Sequence, residues 1–141
     1  MKYLVVARHA DIYQEMSNWV REAIIGLAGR LKAHVGDGTV RVVTSQEARA
    51  YLTGKVLAEA LGGEITSRGS LNPPAWSFVE DAQRLGEGFD TLIIVAHDDT
   101  CRSLPMTFGR QVLGTFIPEG NLRYLEMLII NCESKESSNL S

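Results

Sequence analysis

Three short apolar segments, each followed at once by polar or charged residues, limit the fold of this chain more than any other feature. They are residues 4–7, 40–43 and 92–96, and valine, leucine and isoleucine dominate them. Apolar runs of this length are typical of strands buried in an α/β sheet. Because ligands of such sheets bind beyond the carboxyl ends of the strands, the residues after these segments are the first candidates for a functional site.

The residues after the three segments include two arginines, two histidines and a serine. Arg8 and His9 follow the first segment, Ser45 and Arg49 the second, and His97 the third. Carboxyl ends of neighbouring parallel strands lie at one edge of a sheet, so we expect the five side chains to gather there.

The remaining segments have the spacing of amphipathic helices. Ser17 is a candidate N-cap, and Thr44 with Glu47 matches a capping box. Helices are predicted over 18–34, from the Thr44 region to about 61, over 75–85, and from the loop after 97 to about 113, with a last strand over 122–130. Strands that alternate with helices predict a three-layer α/β/α sandwich.

The size and composition of the chain exclude several classes of protein. Its 141 residues are enough for one domain, which we expect over 1–132, and the charged, serine-rich tail over 133–141 is predicted to be disordered. A net charge of −3 gives no basic surface for nucleic acid. No apolar run approaches the roughly 20 residues of a membrane span. The N-terminal segment lacks the pattern of a signal peptide, so we expect a cytoplasmic protein.

Two arginines and two histidines near helix N-termini suit a phosphoryl group above other ligands. The guanidinium offers a planar fork of donors that matches phosphate oxygens, and helix-end amides add further donors. Among such positive groups the imidazolium form of a histidine is disfavoured, so its pKa is expected to fall. The neutral ring can then attack phosphorus and form a covalent phosphohistidine.

At these residues the chain resembles the histidine phosphatase superfamily, also called the phosphoglycerate-mutase-like family. Arg8-His9-Ala10 resembles its Arg-His-Gly motif, and residues 45–53 (SQEARAYLT) resemble its Ser-Pro-x-x-Arg-Ala-x-x-Thr segment. Residues 92–97 resemble the strand that carries its second histidine. The short length is similar to that of the small phosphohistidine-phosphatase branch.

The resemblance implies a mixed, mostly parallel sheet and a role for each matching residue. His9 would be the phosphorylated nucleophile, and Arg8 and Arg49 would bind the phosphoryl oxygens. His97 would complete the pocket and stabilise the transition state, and Ser45 would join the substrate-binding residues. The resemblance implies neither a metal nor another cofactor, and the substrate would be a phosphorylated small molecule or a phosphoprotein.

Some positions depart from the family's pattern. Ala10 stands where the family has glycine, which disfavours a positive φ, and Asp98-Asp99 replaces a Gly-Gly pair. The two aspartates either cap a helix, repel an anionic ligand, or hold a cationic or imidazole-bearing substrate. Residues 71–74 (LNPP) lack the glutamate that serves mutases and many phosphatases as proton donor. Because an imidazole leaving group needs less help than an alkoxide, this favours phosphohistidine or another activated phosphoester over a mutase substrate.

The sequence leaves three functions open. The first is a phosphatase that hydrolyses a phosphohistidine or other phosphomonoester through phospho-His9. The second is a non-catalytic module that binds a phosphorylated protein or metabolite in the same pocket. The third is an interaction protein whose site residues pair only with one another. The enzyme is favoured by the intact Arg8, His9, Arg49 and His97, whereas Ala10, Asp98-Asp99 and the missing acid favour the binding module.

Overall fold

A six-stranded sheet forms the centre of the computed structural model, which describes residues 1–12, 15–71 and 78–141. The strands are β1 (Tyr3–Arg8), β2 (Val40–Thr44), β3 (Glu64–Ser67), β4 (Thr91–Ala96), β5 (Met127–Asn131) and β6 (Glu136–Leu140). Their order across the sheet is β3-β2-β4-β1-β5-β6. The first three predicted strands are thus confirmed, and β4 lies between β2 and β1.

The sheet is mixed and mostly parallel, as expected. β1, β2, β3 and β4 run parallel to one another, whereas β5 pairs antiparallel with β1 and β6 pairs antiparallel with β5. In the central pair the register brings Arg8 opposite Ala96. The carboxyl ends of β1 and β4 therefore finish at the same level of the sheet.

Helices cover both faces of the sheet. They are α1 (Asn18–Val35), α2 (Ala48–Leu61), α3 (Phe78–Gly86) and α4 (Asp98–Phe108), which continues as a π-helical turn over Gly109–Leu113. Alternate residues of β1 point to opposite sides: Leu4 packs with α3 and α4, and Val5 packs with α1 and α2. Two cores on opposite faces confirm the three-layer sandwich.

Within the described residues, no helix combines the length and apolar character that crossing a membrane needs.

Of the two N-terminal helix caps predicted from the sequence, one is confirmed and the other is wrong. Ser17 caps α1 by accepting a hydrogen bond from the Val20 amide at 3.2 Å, as predicted. The capping box at α2 is wrong: Thr44 is the last residue of β2, and its hydroxyl donates to the Ser45 carbonyl oxygen. The N-cap of α2 is Glu47, whose side chain makes no capping hydrogen bond. The Glu47 carboxylate is therefore free to interact elsewhere.

The C-terminal part of the chain differs most from the prediction. The last predicted strand begins five residues too early, because β5 starts at Met127. The segment 133–141 was predicted to be disordered, but Glu136–Leu140 forms β6 against β5. The turn between them is held by Asn131, whose side chain accepts hydrogen bonds from the Glu133 and Ser134 amides at 3.0 Å. Most of the β6 side chains are exposed at the sheet edge, so a polar sequence is compatible with a strand there.

The start of the helix predicted over 75–85 lies outside the described residues.

Candidate active site

The two histidines meet at the carboxyl ends of the central strands. His9 follows β1 directly and His97 follows β4 directly. The His9 amide donates to the Ala96 carbonyl oxygen at 3.2 Å. The two imidazole rings lie with their centroids 4.9 Å apart and their planes at 61°. The parallel pairing of β1 and β4 thus brings together two residues that are far apart in sequence.

The orientation of the His9 ring is set by its own chain. His9 is only 4% exposed, and its Nδ1 lies 2.8 Å from the Ala10 carbonyl oxygen. A carbonyl oxygen can only accept, so Nδ1 carries the proton and Nε2 of the neutral ring keeps a free lone pair. Burial lowers the pKa of His9, and the nearby His97, Arg49 and Arg8 lower it further, against the opposing effect of the Ala10 hydrogen bond. The neutral, nucleophilic form is therefore favoured.

Ala10 is held in turn by Thr53 of α2. The Ala10 amide donates to Thr53 Oγ1 at 3.0 Å, and the same hydroxyl donates to the Arg49 carbonyl oxygen at 2.8 Å. Thr53 is fully buried. Ala10 does not adopt a positive φ, so alanine in place of glycine causes no backbone strain here. Thr53 links the loop after β1 to the first turn of α2.

Arg8 is positioned by the segment before β5. Its Nη1 donates to the Leu122 carbonyl oxygen at 3.0 Å, and its guanidinium carbon lies 4.3 Å from the centre of the Tyr124 ring. Tyr124 also lies 5.6 Å from the His9 ring. Arg8 Nε is buried and has no hydrogen-bond partner among the described residues. Sequence reasoning did not identify Tyr124, because no motif links this loop residue to the strand end.

Ser45 lies beside His97. The Ser45 hydroxyl is buried and lies 2.8 Å from His97 Nε2. Burial is the largest cause that lowers the pKa of His97. Arg49 and Arg8 also lower it, whereas the Glu47 and Asp99 carboxylates act in the opposite direction. His97 is thus a hydrogen-bonded and predominantly neutral ring at neutral pH.

Glu47 was not predicted as a site residue. Its Oε2 lies 3.7 Å from Arg49 Nη2 and 3.7 Å from His97 Nε2. Together with Arg49 it lines a cleft of about 550 Å³, whose other walls are Asp11, Ile12, Ala48 and Tyr124. Glu47 lies two residues after Ser45, which is a signal for a site role. It also lies three residues after Thr44, and that spacing fits a capping box.

The two aspartates after His97 do not cap α4. The N-cap is His97 itself, and Asp98 and Asp99 lie in the first turn. Asp98 accepts a hydrogen bond from Arg102 Nε at 2.8 Å, and its other oxygen lies 3.9 Å from Arg8 Nη1. Both partners of Asp98 are arginines, and one of them is Arg8 of the site.

Other groups with possible chemistry lie outside this arrangement. Cys101, four residues after His97, is fully buried, and burial raises the pKa of its thiol to about 12. Such a thiol is not a nucleophile at neutral pH. Among the described residues, His, Cys, Asp and Glu side chains form no group of three or more that could hold a metal ion.

The chain has the fold of the phosphoglycerate-mutase-like histidine phosphatases. The protein SixA of Agrobacterium tumefaciens, assigned as a phosphohistidine phosphatase, superposes with a TM-score of 0.62 at 14% identity over 99% of this chain and 97% of that chain. Phosphoglycerate mutase of Plasmodium falciparum gives a TM-score of 0.59 at 14% identity, over 99% and 87% of the chains. Mycobacterial glucosyl-3-phosphoglycerate phosphatase gives 0.56 at 16% identity, over 100% and 97%. No protein-family model and no curated protein sequence matches the chain.

Proposed function

We propose that this protein is a phosphatase that hydrolyses a phosphohistidine or another phosphomonoester through a covalent phospho-His9 intermediate. The hydrogen bond of 2.8 Å between His9 Nδ1 and the Ala10 carbonyl oxygen carries this proposal. It fixes the tautomer in which Nε2 holds the free lone pair, and a lowered pKa keeps that ring neutral. A histidine held only for structure does not require this combination beside two arginines and a second histidine.

The groups around His9 support binding of a phosphoryl group. The guanidinium of Arg8 is held in place by Leu122 and Tyr124, and its buried Nε has no partner among the described residues. A phosphoryl oxygen would supply the acceptor that Nε lacks. Arg49 lies on the first turn of α2, where the helix end also favours an anion. His97 would donate a hydrogen bond to a further phosphoryl oxygen.

The proposed reaction consists of two displacements at phosphorus. In the first, the His9 Nε2 lone pair attacks, the bond from phosphorus to the leaving atom breaks, and that atom takes up a proton. In the second, water attacks phospho-His9, the P–N bond breaks, and the electron pair returns to Nε2 as phosphate leaves. Arg8 and Arg49 stabilise the charge on the equatorial oxygens in both steps.

Two observations support a phosphatase that acts on a phosphohistidine or another phosphomonoester, rather than a mutase. Residues 71–74 carry no carboxylate where mutases of this fold place their proton donor. Two of the structures with the same fold are a glucosyl-3-phosphoglycerate phosphatase and SixA, assigned as a phosphohistidine phosphatase. The substrate is accordingly a phosphorylated small molecule or a phosphoprotein.

Hydrolysis assays with three proteins test the proposal. Wild type, His9→Ala and His34→Ala are compared on 4-nitrophenyl phosphate and on a protein that carries phosphohistidine. His34 is an exposed histidine on α1 and serves as the matched control. We expect turnover by wild type and His34→Ala and none above background by His9→Ala. Equal, negligible activity in all three would contradict the phosphatase and leave the phosphate-binding module.

A further inference from the structure

The Glu47 carboxylate lies beside Arg49 and His97 and does not cap helix α2. It is the N-cap of α2 but makes no capping hydrogen bond. Its Oε2 instead lies 3.7 Å from both His97 Nε2 and Arg49 Nη2. The side chain is about half exposed (48%), so it can move toward or away from a bound ligand. These contacts place an acid next to two groups that are proposed to bind the phosphoryl oxygens.

The other carboxylates near the site are less suited to proton transfer. Asp98 is paired with Arg102 at 2.8 Å and lies 3.9 Å from Arg8. Asp11 lines the same cleft but makes no ion pair with a site residue, and Asp99 is exposed in the first turn of α4. Among the described carboxylates, Glu47 alone lies within 4 Å of both an arginine and a histidine of the site.

A bound phosphoryl group reverses the charge around Glu47. In the free protein, the carboxylate lies between the positive Arg49 and the His97 ring. A phosphoryl dianion takes over the donors of both residues and places negative charge beside the carboxylate. A nearby negative charge favours the protonated carboxyl form. Glu47 would then lie beside the phosphoryl group, where it can exchange a proton with an atom bound to phosphorus.

We propose that Glu47 is the general acid and base of the phosphatase reaction, an inference that rests on the proposed function. As His9 Nε2 attacks phosphorus and the bond to the leaving oxygen breaks, the Glu47 carboxyl gives its proton to that oxygen and becomes a carboxylate. In the second step the carboxylate takes a proton from the attacking water, and the P–N bond breaks with return of the electron pair to Nε2. The carboxyl group is thereby restored.

The cleft supports this direction of transfer. The leaving group must lie on the side of phosphorus opposite to His9, because the attacking and leaving atoms are in line. Glu47 lines the cleft of about 550 Å³ together with Arg49 and Tyr124, and the Tyr124 ring lies 5.6 Å from the His9 ring. A leaving group in this cleft would be next to the Glu47 carboxyl.

The test compares leaving groups that need a proton to different degrees. The ratio kcat/KM reports the first displacement, so it is measured for 4-nitrophenyl phosphate and for phenyl phosphate with wild type and Glu47→Gln. We expect Glu47→Gln to lose little on 4-nitrophenyl phosphate and about 10²-fold or more on phenyl phosphate, whose leaving group is more basic.

Matched variants separate this role from others. Glu59→Gln removes a carboxylate from the other end of α2, where Glu59 pairs with Arg21, and should behave as wild type. Glu47→Asp should recover part of the lost activity on phenyl phosphate. Thermal unfolding of each variant shows whether it is folded.

Three outcomes overturn the inference or its premise. Equal losses on both substrates, or none on either, would show that Glu47 is not the acid. A loss confined to phenyl phosphate in Asp11→Asn but absent in Glu47→Gln would assign the role to Asp11. If wild type hydrolyses neither substrate nor protein-bound phosphohistidine, the proposed function itself fails.

Discussion

The Thr53 hydroxyl accepts a hydrogen bond from the Ala10 amide at 3.0 Å and so ties the loop after β1 to helix α2. The neighbouring contacts extend this link in both directions. The Ala10 carbonyl oxygen orients the His9 ring, and Thr53 Oγ1 donates to the Arg49 carbonyl oxygen. One buried hydroxyl therefore sets the distance between the proposed nucleophile and a proposed phosphate-binding arginine.

Replacement of Thr53 should affect both stability and activity. Thr53→Val keeps the shape of the side chain but leaves the buried Ala10 amide without its acceptor. We expect the free energy of unfolding to fall by about 1–3 kcal/mol and kcat for an aryl phosphate to decrease. Urea denaturation and steady-state kinetics measure the two effects. Thr53→Ser, which keeps the hydroxyl, is the control, and equal behaviour of the two variants would contradict the role of the hydrogen bond.

Inorganic phosphate should stabilise the protein through Arg8. A ligand that binds only the folded state at 100 times its Kd adds about 2.7 kcal/mol to the free energy of unfolding. We expect phosphate to raise the Tm of wild type and of Arg110→Ala, which removes an exposed arginine outside the site. Arg8→Ala should lose the effect. The same phosphate-dependent rise in all three proteins would place phosphate elsewhere.

The lowered pKa values of His9 and His97 predict a dependence of stability on pH. Burial is the largest cause for both, so each ring binds a proton less readily in the folded than in the unfolded chain, where the value is about 6.5. Their neutral forms are present in both states above that pH, and stability is lost as the pH falls below it. Urea denaturation between about pH 5 and pH 8 should show this decline. His9→Asn should reduce its slope, and an unchanged slope in that variant would contradict the assignment to His9.

Removal of the C-terminal strand should destabilise the protein. Truncation after Glu133 removes β6, exposes the edge of β5 and deletes Leu140, which packs partly against the core. We expect a lower Tm by circular dichroism, whereas deletion of Ser141 alone should have a small effect. A disordered tail would instead predict no change after truncation.

The strand ends could be predicted because they depend on local patterns. Buried strands appear in the sequence as short apolar runs, and parallel pairing of β1 with β4 brings Arg8, His9 and His97 to one edge. The three-layer architecture follows from the alternation of strands and helices in the same way. The positions of the strand ends and the layer architecture can therefore be predicted without knowing which strands pair.

The parts that were missed depend on tertiary contacts or on competing uses of one pattern. Tyr124 reaches Arg8 through a loop that has no periodicity. Glu47 has the spacing of a capping box, and only the start of α2 at Ala48 shows that its carboxylate is free for the site. The β6 segment has the composition of a solvated tail, and only its pairing with β5 at the sheet edge shows that it is a strand.

A covalent phosphate on His9 is the central prediction. Wild type is mixed with an aryl phosphate, denatured within milliseconds at alkaline pH, and digested for mass spectrometry, with His9→Ala treated in parallel. We expect one phosphate on the peptide that contains His9, stable in alkali, labile in acid and missing from the variant. Turnover by wild type with the phosphate on another residue, or with undiminished turnover by His9→Ala, would contradict the mechanism.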